Sequence, residues 1–329
     1  EKQAVLAVQL RVKTPRQNSR GQLIAALVLG TCIGLCRGLQ EPGSTSAAQT
    51  PSTSQEQQFR LRGGGAMSDP VIVSAKAQHS ASVIWLHGLG DSGHGWASHA
   101  PEMKMPWVKW IFPNAPNRAV TINNGAQMPA WADIKALSPE APEDEEGIMQ
   151  TRDMVHKLIA DEVASGIPPA RIAVGGFSQG GAMAGFACLT HGAPLGGCFV
   201  LSGFLAMKMK VASMLTDGGR QTPFFQAHGA QDPVVPFLFG QISAQLVQGM
   251  VRSMEFKQYP MQHTSSVEEL ADLRAFLVKA MPEAAPAPMP EDIEGLSAKE
   301  LKALLHGRGV DTSDCLEKAD LIAKAKSLL

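Results

Sequence analysis

Neither sign of charge dominates this 329-residue chain: 29 Lys and Arg stand against 30 Asp and Glu, a net charge of -1. A chain so balanced has no field with which to hold nucleic acid or an anionic membrane surface, and those partners are not expected. Cysteine is scarce. There are five (Cys32, Cys36, Cys188, Cys198 and Cys315), an odd number without zinc-ligand clustering. They read as free thiols, or as too few for a disulfide framework. Long apolar runs are missing too. Residues 23–36 form an apolar stretch of about 14 residues, short of the ~20 needed to cross a bilayer, so no transmembrane span is expected in the mature protein. His87, His94 and His99 do not have the spacing of a zinc-binding His-Glu-x-x-His helix, and no metal is expected. What the chain has is 44% hydrophobic and 18% charged residues, enough for a globular protein with a substantial core.

The first 66 residues differ from the rest. They carry eight basic residues (Lys2, Arg11, Lys13, Arg16, Arg20, Arg37, Arg60, Arg62), three acidic ones (Glu1, Glu41, Glu56) and no Asp. A basic segment before the apolar stretch has the form of a signal peptide, and the Ser, Thr, Gln and Ala tract at 40–58 has that of a transit sequence. That combination would direct the protein to an organelle, plastid-like or on the secretory route. The alternative is sequence upstream of a start at Met67, which would leave the protein cytoplasmic. Neither belongs to the fold.

The informative stretch is Arg171 to Ala184. A β-prone run (Ile172, Ala173, Val174) enters Gly176-Phe177-Ser178-Gln179-Gly180, and an Ala- and Met-rich segment suited to a helix follows. The Gly-x-Ser-x-Gly pattern carries meaning only between a strand and a helix, and here it has that context. Ser178 is the candidate nucleophile. Ahead of it, the strand at 82–86 runs into His87-Gly88-Leu89-Gly90-Asp91, a loop whose glycines let backbone amides face a substrate carbonyl. The amides of Leu89 and Gln179 are the candidate oxyanion donors. A strand ending at His228 leads to Asp232 in a Pro-punctuated loop, and the last strand, 254–259, leads to His263. The order Ser178, Asp232, His263, each just past a strand, is that of α/β-hydrolases. Alternating strands and helices predict a doubly wound, mostly parallel sheet. Trp131, in a loop on the active-site side, and Leu205, in the apolar loop after the strand at 197–202, are candidates for the substrate groove, with core packing the alternative for each. Residues 114–127 read as irregular.

The combination of His87-Gly88-Leu89-Gly90-Asp91, Trp131-Ala132-Asp133-Ile134, Gly175-Gly176-Phe177-Ser178-Gln179-Gly180 and His228-Gly229-Ala230-Gln231-Asp232-Pro233 resembles the acyl-protein thioesterases, also called lysophospholipase-like carboxylesterases. The resemblance covers 67–281. It implies a cofactor-free α/β-hydrolase without a large cap domain, acting on S-acylated proteins or on lipid and other esters, with Ser178 as nucleophile, Asp232 as orienting acid, His263 as base and the amides of Leu89 and Gln179 in the oxyanion hole. A general carboxylesterase or lysophospholipase is the alternative, and a catalytically impaired acyl-binding scaffold a third. One departure stands out. Where that family has Gly-Met before the histidine, this chain has Pro260-Met261-Gln262-His263, which is expected to shift the loop or slow the reaction.

Residues 282–292 form a Pro- and Ala-rich linker. Residues 293–329 read as two short amphipathic helices, the first opened by Ser297 and Glu300 as a capping box. This tail resembles a SAP-like helix–loop–helix close to the ARMET C-terminal domain. From Glu291 it carries six Lys or Arg and eight Asp or Glu, a net of -2 that disfavours DNA; a protein-interaction module is the preferred reading and an inert stabilising appendage the alternative.

Overall fold

A computed structural model describes residues 68–138, 140–284, 289–306, 308 and 310–328. The signal-like and transit-like readings of residues 1–66 lie outside the described residues, as does part of the linker.

Among the described residues nine strands form two sheets. They are β1 (Val71–Val73), β2 (Ala81–Leu86), β3 (Val108–Phe112), β4 (Asn117–Val120), β5 (Ala126–Pro129), β6 (Ile172–Phe177), β7 (Gly197–Leu201), β8 (Phe224–Gly229) and β9 (Met254–Tyr259). The main sheet has the order β1-β3-β2-β6-β7-β8-β9, parallel throughout except for β1, which pairs antiparallel with β3. β2, β7 and β8 are buried along their whole length. That is why they read as near-continuous apolar runs: a parallel strand inside this sheet has helices over both faces.

The helices used below are α1 (Glu145–Ala164), α2 (Gln179–Leu189), α3 (Phe237–Gln248), α4 (Val267–Ala280), α5 (Ala298–His306) and α6 (Lys318–Lys326). Period-two alternation divides the sheet's side chains between two cores. On one face Ile84, Leu86, Val174 and Val200 pack with Val155 and Ile159 of α1 and the buried α2. On the other, Val83, Trp85, Phe199 and Phe225 pack with Leu273 and Leu277 of α4. α1 begins where Asp144 accepts the Gly147 N–H (3.1 Å) with Glu145 and Glu146 in the first turn, so both capping and the helix dipole favour the start.

Residues 114–127 are not irregular. They hold β4 and the first half of β5, an antiparallel hairpin whose turn contains Asn124 (φ 55°) and Gly125 (φ 75°). Its strands, exposed or half-buried except at Val120, are fastened from outside: Asp133 accepts both the N–H and the hydroxyl of Thr121 (2.7 and 2.6 Å), and Arg118 lies 3.6 Å from Asp144. Of the cysteines, Cys188, Cys198 and Cys315 are free and buried, and burial pushes the Cys198 thiol well up. Cys32 and Cys36 lie outside the described residues.

In the tail, α5 and α6 pack on a core of their own built from Ile293, Leu301, Leu305, Leu321 and Ala325. The capping box is present: Glu300 accepts the Ser297 N–H (2.7 Å), and Ser297 Oγ accepts the Glu300 N–H (3.3 Å). Among the described residues no helix is long and apolar enough to cross a membrane.

Candidate active site

Three side chains meet above the C-terminal ends of β6, β8 and β9. Ser178 sits in the turn between β6 and α2 with φ 54° and ψ -120°, a conformation that L residues rarely occupy. The surrounding packing holds it there. The Ser178 N–H donates to Leu201 O (2.8 Å), so the turn is tied to the end of β7. A Cβ on Gly176 would come within 2.4 Å of Leu86 O, and one on Gly180 within 2.3 Å of the same oxygen. Only glycine lets the strand and the helix close on β2 this tightly. The turn aims the serine hydroxyl away from the sheet.

His263 Nε2 lies 3.0 Å from Ser178 Oγ, and His263 Nδ1 lies 2.7 Å from Asp232 Oδ2. Since the ionised carboxylate only accepts, Nδ1 carries the proton and Nε2 is left to accept the serine O–H. Asp232 is buried, and its other oxygen accepts the N–H groups of Val234 and Val235, both at 2.8 Å. The acid and base loops brace each other through Ala230 N–H to Tyr259 O (2.8 Å) and Gln231 N–H to Met261 O (3.1 Å). The His263 ring packs against Phe177 with centroids 4.7 Å apart. Pro260 and Gln262 are both exposed, and the histidine is in hydrogen-bond register despite them.

His228 adds a partner that its sequence position does not reveal. It is fully buried behind Asp232, its Nε2–H donates to Val235 O (2.9 Å), and the same nitrogen is 3.5 Å from Asp232 Oδ2. Burial holds its pKa below the usual histidine value, so it stands there as a neutral donor. His87 is neutral for the same reason. Its Nδ1–H donates to Gly88 O (2.7 Å) and its Nε2 accepts the Ala115 N–H (3.1 Å). One ring nitrogen is therefore used within the loop that carries Leu89, and the other ties that loop to the segment after β3. Among the described residues there is no cluster of three or more side chains suited to a metal ion.

Leu89 lies in the loop after β2 and Gln179 is the first residue of α2. Among the described residues no acceptor takes either N–H. A largely apolar groove is lined by Gln179 together with Ile134, Leu137, Met183, Leu205, Phe239 and Leu246. Trp131 does not line it. It is fully buried, because its indole N–H finds its acceptor inward, at His87 O (2.7 Å). A buried indole must place that donor, and doing so turns the ring away from the groove.

A family model described as phospholipase/carboxylesterase matches residues 67–281, and one described as E3 ubiquitin-protein ligase rififylin-like domain matches residues 289–329. The tail is thus matched under that description rather than as a SAP-like module. Acyl-protein thioesterase 1 from Gibberella zeae is 44% identical over 225 residues, which are 65% of this chain and 96% of that protein. The protein of the same name from Neurospora crassa is 41% identical over 228 residues, 66% of this chain and 93% of that one. Among solved structures, acyl-protein thioesterase 2 from Zea mays aligns with a TM-score of 0.59 at 30% identity, covering 64% of this chain and 98% of that one. SOBER1 from Arabidopsis thaliana aligns with a TM-score of 0.59 at 31% identity, covering 61% of this chain and 99% of that one. On these matches and the sheet described above, the chain belongs to the phospholipase/carboxylesterase family, serine hydrolases of the α/β-hydrolase fold.

Proposed function

We propose that this hydrolase cleaves acyl thioesters, S-palmitoyl cysteines on proteins foremost, with Ser178 as nucleophile, His263 as base and Asp232 as the acid that orients it. The observation that carries the reading is the relay from Asp232 through His263 to Ser178, at 2.7 and 3.0 Å, with Gln179, the residue after Ser178, in the lining of a largely apolar groove. His263 Nε2 takes the Ser178 proton as Oγ attacks the acyl carbonyl. The amides of Leu89 and Gln179 receive the developing oxyanion. One such donor contributes roughly 3–4 kcal/mol in comparable sites. The imidazolium then protonates the leaving thiolate, and a water deprotonated by the same nitrogen releases the fatty acid from Ser178. The groove supports a long acyl chain, since each buried methylene contributes about 0.8 kcal/mol. The acyl-protein thioesterase relatives support a thioester on a protein.

The test is hydrolysis of a palmitoyl-cysteine peptide by the full chain beside Ser178→Ala. Turnover by the parent and loss of at least about 1000-fold in the variant are expected. A parent that spares this peptide and cleaves only short oxygen esters would move the reading to a carboxylesterase. For the tail, we infer a protein-recognition role. Its self-contained core and its acidic balance support this, and so does the description of the model that matches it.

A further inference from the structure

Two residues buried beneath the site, Gln179 and Trp131, are joined through a side chain and a backbone in a way that the reaction scheme above does not use. Gln179 is only 2% exposed, so its side-chain amide must find partners inside the protein. It finds them on a single edge of chain. Oε1 accepts the Trp131 N–H (2.9 Å), and Nε2 donates to Ala132 O (2.6 Å). Trp131 is held in turn from two further sides. Its indole N–H donates to His87 O (2.7 Å), and its own carbonyl accepts the Thr151 hydroxyl of α1 (2.6 Å). The first turn of α2 also lies directly on the His87 loop: a Cβ on Gly180 would fall 2.4 Å from His87 O.

We propose that the Gln179 side chain and Trp131 form a clamp that fixes the spacing between the two oxyanion amides. The inference rests on the site reading given above. One amide belongs to Gln179 itself. The other, that of Leu89, lies two residues beyond the carbonyl gripped by the indole. The loop between has no regular structure to hold it, and its glycine at 88 leaves the backbone free to turn. Without the clamp the two donors sit on separate elements, one on α2 and one on the loop after β2. With it, both are referred to the same short segment, 131–132, which α1 anchors through Thr151. Donors that point at the transition-state oxygen act only when already in place, so a device that fixes their separation acts on the chemical step. Gln179 through its side chain, and Trp131, are positioning residues. Neither touches the reacting atoms by these contacts.

The test uses the full chain with Gln179→Met, which keeps length and apolar bulk but removes both side-chain hydrogen bonds, and Trp131→Phe, which keeps a ring and removes the indole donor. Both are assayed on thioesters of four and sixteen carbons, with turnover expressed per site titrated by a fluorophosphonate so that unfolded protein is not counted. The expected result is a fall in kcat of roughly 10- to 100-fold for Gln179→Met and a smaller fall for Trp131→Phe. KM should stay within about two-fold at both chain lengths, and phosphonate inactivation should slow in proportion to kcat/KM. Unchanged kcat in both variants would overturn the clamp. So would a KM that rises with acyl length while kcat holds, because the two residues would then be walls of the groove. Parent and Ser178→Ala run alongside. A parent without turnover, or a Ser178→Ala variant that retains it, would bring down the underlying site reading instead.

Discussion

Pro260 and Gln262 lie in the loop just before His263, and both are exposed. Proline is tolerated there for a physical reason. β9 is an edge strand paired only with β8, and Pro260 follows its last residue, so the missing N–H removes no ladder bond. The next turn closes through Met261 N–H to Tyr259 O (2.8 Å), and His263 reaches both partners. Pro260→Gly is therefore expected to leave kcat within about two-fold while lowering stability on the order of 1 kcal/mol, since the unfolded chain gains freedom. Steady-state kinetics and urea melts check this, and a several-fold change in kcat would show that the ring sets the histidine's position. The expectation that this loop is shifted came from comparing residue types alone. Residue type shows that Gly became Pro but not which side of the strand needs its N–H. Trp131 teaches the same lesson. Ser178, Asp232 and His263 could be placed in the sequence because each follows a strand in a fixed order. An aromatic in a loop looks the same whether it lines a groove or binds a carbonyl 44 positions away.

At the scale of elements, the start of α4 is the unusual one. Ser266 caps it by accepting the Glu269 N–H (3.1 Å). In a capping box the Glu side chain would reach back to the Ser N–H. Here Glu269 is fully buried instead, and among the described residues neither carboxyl oxygen has a partner. Burial raises its pKa from an ordinary 4.5 to about 8. The folded protein thus holds a proton that the unfolded chain releases above about pH 4.5. Stability falls as pH rises from that point to about 8 and then levels, each unit being worth roughly 1.4 kcal/mol as an upper bound. Glu269→Gln removes that slope. The variant should melt well above the parent at pH 8 and close to it at pH 5. Thermal melts from pH 5 to 9 read this directly, and parallel curves would refute it. None of this was visible in the sequence, where Ser266 and Glu269 look like an ordinary helix start. The strands and longer helices could be read from periodicity. The hairpin β4–β5 could not, because it buries no alternating apolar face, and β1 could not, because Val71 and Val73 inward with Ile72 exposed is too short a run to show a period.

At the scale of the whole molecule, the described chain contains cores that do not share residues. The two flanking the main sheet draw on 71–281, and the third draws on 289–325. The hydrolase part is fastened at its own end: the Trp107 indole N–H donates to Met281 O (3.0 Å) and Arg171 donates to Pro282 O (2.6 Å). The prolines that follow (Pro286, Pro288, Pro290) made the linker legible in the sequence. The nature of the tail was less so, because two short helices with an apolar stripe meet the requirements of many modules. Neither the relay at Ser178 nor the clamp at Trp131 uses a residue beyond 282. Ending the chain after Ala284 is therefore expected to leave kcat on a soluble acyl-cysteine peptide within about two-fold. The melting temperature of the hydrolase part should move by less than about 3 °C, which for this size corresponds to under about 1 kcal/mol. What the cut should remove is retention of a protein partner by the immobilised chain. Loss of turnover on the soluble peptide would instead make the tail part of the catalytic unit, and the separate cores would not then mark separate tasks.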